Sequence, residues 1–225
     1  MTQGWQQRLD DGLAELDIPA ATAARDALAD YLALLVKWNR AFNLTAVRDP
    51  AEMVTRHLLD SLAVLEHVGP GAVCDVGTGP GLPGIPLALV DRDRPVTLLD
   101  SNIKKTRFCR QAATELGLDN IDVVHARVED YRPEEGFATV ISRAFASLVD
   151  FVETSRHLVA ARGVMLAMKG TYPETELADL PSDVEVAASH RLRVPGLDAE
   201  RHLMELRPRA LAAPGQAGPE RVGHH

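Results

Sequence analysis

The chain has 225 residues, 24 Lys and Arg against 32 Asp and Glu, and a formal net charge of −8. Hydrophobic residues make up 46% and charged residues 25%, the balance of a folded protein that buries a core without disulfides or structural metal. The acidity argues against a chain that coats nucleic acid with its whole surface, but leaves room for a local basic face. Cys74 and Cys109 form no CxxC pair and no Cys/His cluster has zinc-ligand spacing, so reduced thiols and no metal are expected. The first residues lack a basic segment followed by an apolar run, and no stretch is apolar for long enough to span a bilayer. A cytoplasmic protein without a membrane partner is therefore expected.

In chain order, Leu9, Leu13 and Leu16 recur at helical spacing, and Ala24, Leu28, Tyr31, Leu35 and Trp38 predict a second, stronger helix. Asp49, Pro50 and Glu52 read as a capping box that starts a third helix, continued by Met53, His57, Leu58, Leu62 and Leu65. Residues 1–66 thus form a helical cap. Beyond Gly69-Pro70-Gly71 the pattern alternates. Strands are predicted at 72–76, 96–99, 121–125, 139–142 and 164–168, with helices at 104–116, stopped by Gly117, and at 148–159. Two further strands, 184–192 and 202–206, have no helix between them and fit an antiparallel hairpin at the sheet edge. The fold class is α/β: a Rossmann-like, mostly parallel seven-stranded sheet over 67–210 behind the helical cap. Residues 211–225 read as a flexible tail, and the terminal His pair has the look of a tag remnant.

Asp75 through Gly84 carries the most information. Gly77, Gly79, Gly81 and Gly84 lie between the first strand and the next helix, where glycine permits a sharp turn and close ligand approach. Gly79-x-Gly81-x-x-Gly84 with Asp100 at the end of the next strand matches a dinucleotide fingerprint, which leaves a nicotinamide oxidoreductase open. S-adenosylmethionine is favoured on three grounds. Asp75 would repel a pyrophosphate and attract a sulfonium and an ammonium. Pro83 and Pro86 remove N–H donors that a phosphate needs. A further acidic turn, Val128-Glu129-Asp130, follows the third strand. A tight turn with no ligand is the plain alternative.

These segments resemble the bacterial 16S ribosomal RNA guanine-N7 methyltransferases, the RsmG family, also called glucose-inhibited division protein B. The resemblance rests on Lys37-Trp38-Asn39, Phe42-Asn43-Leu44-Thr45, Arg56-His57-x-x-Asp60-Ser61 and Asp75 through Pro86. It continues in Leu98-Leu99-Asp100-Ser101, Arg127-Val128-Glu129, Ile141 through Phe145, Lys169-Gly170 and Arg201-His202-Leu203. It implies a class I S-adenosylmethionine-dependent methyltransferase, releasing S-adenosylhomocysteine. It further implies a monomer acting on a guanine in the 530 loop of 16S RNA, within the small subunit or an assembly intermediate. Gly77, Gly79 and Leu82 would line the methionine end of the cofactor site, Asp100 would take the ribose, and Val128 and Glu129 the adenine. Arg143 would sit beside the sulfonium and the incoming base, as a positioning group.

No nucleophile–base pair stands out, as befits attack by guanine N7, which has a lone pair and no proton to remove. Ser142-Arg143-Ala144-Phe145 stands where enzymes that methylate exocyclic amines carry an Asn/Asp-Pro-Pro-aromatic motif, which argues against an amine acceptor. For RNA, the candidates are Lys104, Lys105 and Arg107 in a basic helix start, Phe145 as a stacking ring, Lys169 at the end of the fifth strand, and Arg201 and His202 at the start of the last. For Phe145, core packing is the equal alternative; for the basic run, a solvated face. An assembly factor with a vestigial cofactor fold and a small-molecule methyltransferase are the remaining rivals.

Overall fold

The computed structural model describes residues 3–143 and 145–208. The expected tail at 211–225, like Ala144, lies outside the described residues. Helices α1 (Gln3–Leu16), α2 (Pro19–Ala23) and α3 (Arg25–Phe42) open the chain. Asn43, in the left-handed region at φ 52°, ends α3 and begins an irregular stretch, so residues 1–66 are not helical throughout. α4 (Pro50–Met53) starts on Pro50, but Asp49 makes no side-chain cap and the expected capping box does not form. The Asp49 carbonyl instead accepts from Met53 N at 2.9 Å. The helix then widens into a π-helix, Val54–Leu59, before α5 (Asp60–Leu62).

Seven strands follow: β1 (Val73–Val76), β2 (Val96–Asp100), β3 (Ile121–His125), β4 (Phe137–Ser142), β5 (Val159–Lys169), β6 (Val184–Arg191) and β7 (His202–Pro208). Their spatial order is β3-β2-β1-β4-β5-β7-β6. The first five are parallel, β6 and β7 form the antiparallel edge hairpin that the sequence predicts, and β7 also runs antiparallel to β5. β1 and β2 are buried at every position, the signature of parallel strands covered on both faces. α6 (Gly84–Val90), α7 (Ile103–Glu115), α8 (Leu148–Ser155) and α9 (Glu174–Ala178) complete the fold.

α8 is shorter than expected. It stops at Ser155, and β5 begins at Val159, well before the predicted 164. The early part of β5 is irregular: its register against β4 shifts between Phe137 and Thr139. Gly163 sits at that shift, where a Cβ would come within 2.6 Å of the Phe137 carbonyl oxygen.

Two apolar clusters hold the layers. One joins Leu9, Leu28, Leu58 and Leu62 from the N-terminal helices to Ile85, Leu98 and Phe108 on one sheet face. The other packs Phe151 and Val152 of α8 against Val140 and Met165 on the opposite face. The N-terminal helices therefore share their core with the sheet. Tyr31 of α3, fully buried, donates from its hydroxyl to the Pro80 carbonyl at 2.7 Å and so ties these helices to the glycine loop. Among the described residues no helix is long and apolar enough to cross a membrane.

Candidate active site

The strand order reverses at β1 and β4, and ligands of open α/β sheets bind at the carboxyl ends of strands beside such a reversal. Two cavities open along this edge. The first, about 220 Å³, is lined by Val76 at the end of β1 and Gly77 after it, Asp100 at the end of β2, Val128 and Glu129 after β3, and Phe145 after β4. The second, about 310 Å³, lies at the far side of β4 and is lined by Arg56, His57, Asp60, Arg143, Lys169 and Arg201. Wider hollows open beside Arg193 (about 650 Å³) and Trp5 (about 850 Å³), but the glycine loop reaches neither.

The glycine loop is held from inside. Gly77, Gly79 and Gly81 have φ of 67°, 61° and 92°, a region costly for any residue with a Cβ. Asp75 is fully buried; its Oδ2 accepts from Thr78 Oγ1 at 2.6 Å and from Gly84 N at 2.8 Å. A Cβ on Gly84 would stand 2.3 Å from Leu98 Cδ2 and 2.9 Å from that same oxygen, so residue 84 must be glycine. Burial pushes the Asp75 carboxyl up to about 6, although Thr78, Gly84 and the Arg143 charge pull the other way. Burial also pushes the thiols of Cys74 and Cys109 up, so both are unreactive packing residues.

Asp100 Oδ2 accepts from Gly79 N at 2.9 Å, and Oδ1 accepts from Asn102 N at 2.8 Å. Each oxygen keeps a further lone pair for a hydroxyl. The expected cofactor residues thus fall into two groups. Gly77, Asp100, Val128 and Glu129 meet at one cavity. Gly79 spends its N–H on Asp100, and Leu82 is 2% exposed within the apolar core, so its side chain does not line the cavity. Phe145 lines the cavity and packs on Phe151, with ring centroids 5.2 Å apart.

The second cavity collects cations around one carboxylate. Asp60 is 2% exposed; its Oδ1 accepts from Arg201 Nε at 2.8 Å and its Oδ2 from an Arg143 terminal nitrogen at 3.2 Å. Arg143 also donates to the Arg56 carbonyl at 3.0 Å, and is thereby drawn to this cavity and away from the first. The Arg56 carbonyl lies within the π-helix, and such widened turns recur at functional sites.

The same carbonyl accepts from His57 Nδ1 at 2.9 Å, which fixes the proton on Nδ1. His57 Nε2, 2.9 Å from Thr45 Oγ1, is then the acceptor of the hydroxyl proton. Burial, and next the Arg143 charge, lower the imidazole to about 4, so it is neutral at physiological pH.

Two substrate expectations change. Lys169 lines the cavity, but its ammonium donates to the Ala146 carbonyl and pairs with Glu176 of α9, each at 2.9 Å, so its charge is already met. His202 is 9% exposed and packs edge-on against Tyr172, so it is not a surface contact for RNA. In the basic run, Lys104 and Arg107 are exposed, whereas Lys105 lies 3.7 Å from Asp100. Asn102 caps α7 by accepting from Lys104 N at 3.0 Å, which offsets the unfavourable cations of that first turn.

No site role was read in the sequence for Tyr31, for Arg127 on the wall of the first cavity, or for Asp60, although helical spacing or the resemblance included each of them. An acid amid the apolar run Leu58-Leu59-Asp60-Ser61-Leu62 is itself a signal, since a buried carboxylate needs a partner.

A sequence profile described as rRNA small subunit methyltransferase G matches residues 24–204. The chain belongs to this family. It is 52% identical over 208 residues to the ribosomal RNA small subunit methyltransferase G of Pseudomonas paraeruginosa, covering 92% of this chain and 97% of that one. The protein of that name from Marinobacter nauticus is 51% identical over 200 residues, covering 89% and 94%. Among solved structures, a SAM-dependent methyltransferase from Aquifex aeolicus aligns at TM-score 0.54 and 17% identity, covering 76% of this chain and 96% of that one. TrmN from Thermus thermophilus aligns at TM-score 0.54 and 18% identity, covering 76% and 53%. At these identities the structural matches establish the class I methyltransferase fold.

As a member of this family the protein is a methyltransferase whose methyl donor is S-adenosylmethionine. The residues present fit that group. Asp75 Oδ1 is a buried carboxylate oxygen behind the glycine loop with no hydrogen-bond partner, better suited to a ligand that carries a sulfonium and an ammonium than to a pyrophosphate.

Proposed function

We propose that the chain methylates N7 of a guanine in the 530 loop of 16S ribosomal RNA. The names carried by its relatives, at about half identity over nearly their full length, support the ribosomal substrate. One observation about the second cavity carries the choice of ring nitrogen: its titratable groups are already committed. Asp60 is held by two arginines, and His57 is neutral with both ring nitrogens engaged. A reaction that needed a proton removed would need one of them free. N7 attack needs none, because the attacking lone pair carries no proton.

S-adenosylmethionine supplies a methyl group activated by its sulfonium. The chain's own part is to hold and to orient. Asp100 receives ribose hydroxyls, Val128 and Glu129 flank the adenine, and Gly77 allows close approach at the methionine end. Phe145, on the wall of the first cavity, offers a face for the target base to stack on. Arg143 and Arg201 hold guanine or its phosphates by their remaining N–H groups. A single-stranded loop presents its base at little unstacking cost. The exposed Lys104 and Arg107 take flanking phosphates. The enzyme acts as a monomer in the cytoplasm, on the small subunit or an assembly intermediate.

Incubation with labelled S-adenosylmethionine and small subunits from cells lacking this modification tests the reading. Nucleoside mass spectrometry should find 7-methylguanosine, mapped to the 530 loop. A different methylated nucleoside, or no label in RNA despite cofactor binding, contradicts it.

A further inference from the structure

We infer that Asp60 is a positioning residue for methyl transfer, the post that sets two arginines at fixed angles around the target nucleotide. The inference rests on the proposed function only in naming the second cavity as the acceptor site.

Asp60 stands at the start of α5, directly after the π-helix. Its two oxygens divide between Arg143, which follows β4, and Arg201, which precedes β7. The three segments lie 83 and 141 residues apart in sequence, and one carboxylate joins them. The carboxylate is 3% exposed, while the two guanidinium side chains are 25% and 23% exposed. The anion is therefore hidden and the cations reach the cavity.

Of their donors, Arg143 commits one terminal nitrogen, to Asp60 and to the Arg56 carbonyl. Arg201 commits Nε to Asp60 and one terminal nitrogen to the Glu200 carbonyl. In each guanidinium a second terminal nitrogen has no hydrogen bond among the described residues.

Charge gives a second reason for the post. Arg56, Arg143, Lys169 and Arg201 crowd one cavity, and without a buried anion the two clamped arginines would repel and swing into solvent. Proper aim matters because misplacement by about 1 Å in a positioning group lowers rate by about a hundredfold. The cofactor cavity has no wall residue in common with this assembly, so Asp60 should act on the rate and not on cofactor affinity.

The test is Asp60→Asn, which keeps the shape and replaces one acceptor oxygen by a donor that faces an arginine. Single-turnover methylation of unmodified small subunits at saturating S-adenosylmethionine should fall about a hundredfold. Cofactor affinity by calorimetry should stay within about twofold of the parent. In an Arg143→Ala, Arg201→Ala background the same substitution should change the rate less than about threefold, since Asp60 acts through those two side chains. That triple variant removes both arginines that Asp60→Asn alone would leave facing an amide, so it gives a comparison even if Asp60→Asn alone fails to fold. An unchanged rate in Asp60→Asn, a parallel loss of cofactor affinity, or a further tenfold loss in the double-alanine background overturns the inference. Failure of the parent protein to methylate the particles would instead count against the proposed substrate.

Discussion

The first cavity is built from strand ends that follow one another in sequence, and the second from segments as far apart as Arg56 and Arg201. The difference decides what a reader of the sequence can see. Around the first cavity, each residue sits at a fixed offset from a strand: the glycines after β1, Asp100 ending β2, Glu129 after β3. Spacing alone locates them. Around the second, Asp60 meets Arg143 and Arg201 only because α5, β4 and β7 pack together, and no local pattern announces that meeting. A local motif can be read, whereas a clamp closed by tertiary packing cannot.

Breaking the first cavity should have the largest effect. Gly77→Asp places a Cβ at positive φ and a carboxylate on the cavity wall, and should abolish calorimetrically detectable binding of S-adenosylmethionine. Normal affinity would show that the loop has been misassigned. Breaking the second cavity should separate binding from chemistry. Arg143→Ala should lower turnover about a hundredfold, with a far smaller change in thermal midpoint. A matching collapse of stability would make Arg143 a structural residue.

A smaller effect comes from His57, whose imidazole is held near 4 against an ordinary value near 6.5. Between those values the unfolded chain takes up a proton that the native protein refuses, so the native state loses stability as pH falls through this window. Asp75 acts in the opposite sense. Its folded value of about 6 lies above the usual 3.8, so protonation there favours the native state as pH falls. Comparison of the parent with His57→Gln isolates the histidine. Between pH 7 and pH 5 the parent should lose about 2 kcal/mol more than the variant in denaturant titrations. Parallel curves would mean that His57 is protonated normally.

The smallest expected effect belongs to the exposed cations of α7. Lys104→Ala or Arg107→Ala should weaken RNA binding several-fold and lower the slope of log affinity against log salt by about 1. An unchanged slope would make this helix face merely solvated.

The fold was more legible than the site. Strand and helix alternation gave the sheet and its antiparallel edge, because hydrophobic runs bounded by glycine survive tertiary packing unchanged. The misplaced boundaries have physical causes. The β5 start was hidden by the exposed Ala161-Arg162 pair and by the register shift beside Gly163, which break strand patterning. The π-helix was hidden because its apolar spacing passes for an ordinary helix over so short a run. Lys169 and His202 were expected to face RNA from their charge and their places at the ends of strands, and Glu176 and Tyr172 engage them instead.

The division of labour between the cavities is tested most directly by Asp100→Ala beside Arg143→Ala, each measured for cofactor affinity and for single-turnover rate at saturating cofactor. Asp100→Ala should bind S-adenosylmethionine weakly yet recover much of its rate at saturation. Arg143→Ala should bind it normally and remain slow. Loss of cofactor affinity in Arg143→Ala, equal to that in Asp100→Ala, would contradict the account and merge the two cavities into one cofactor site.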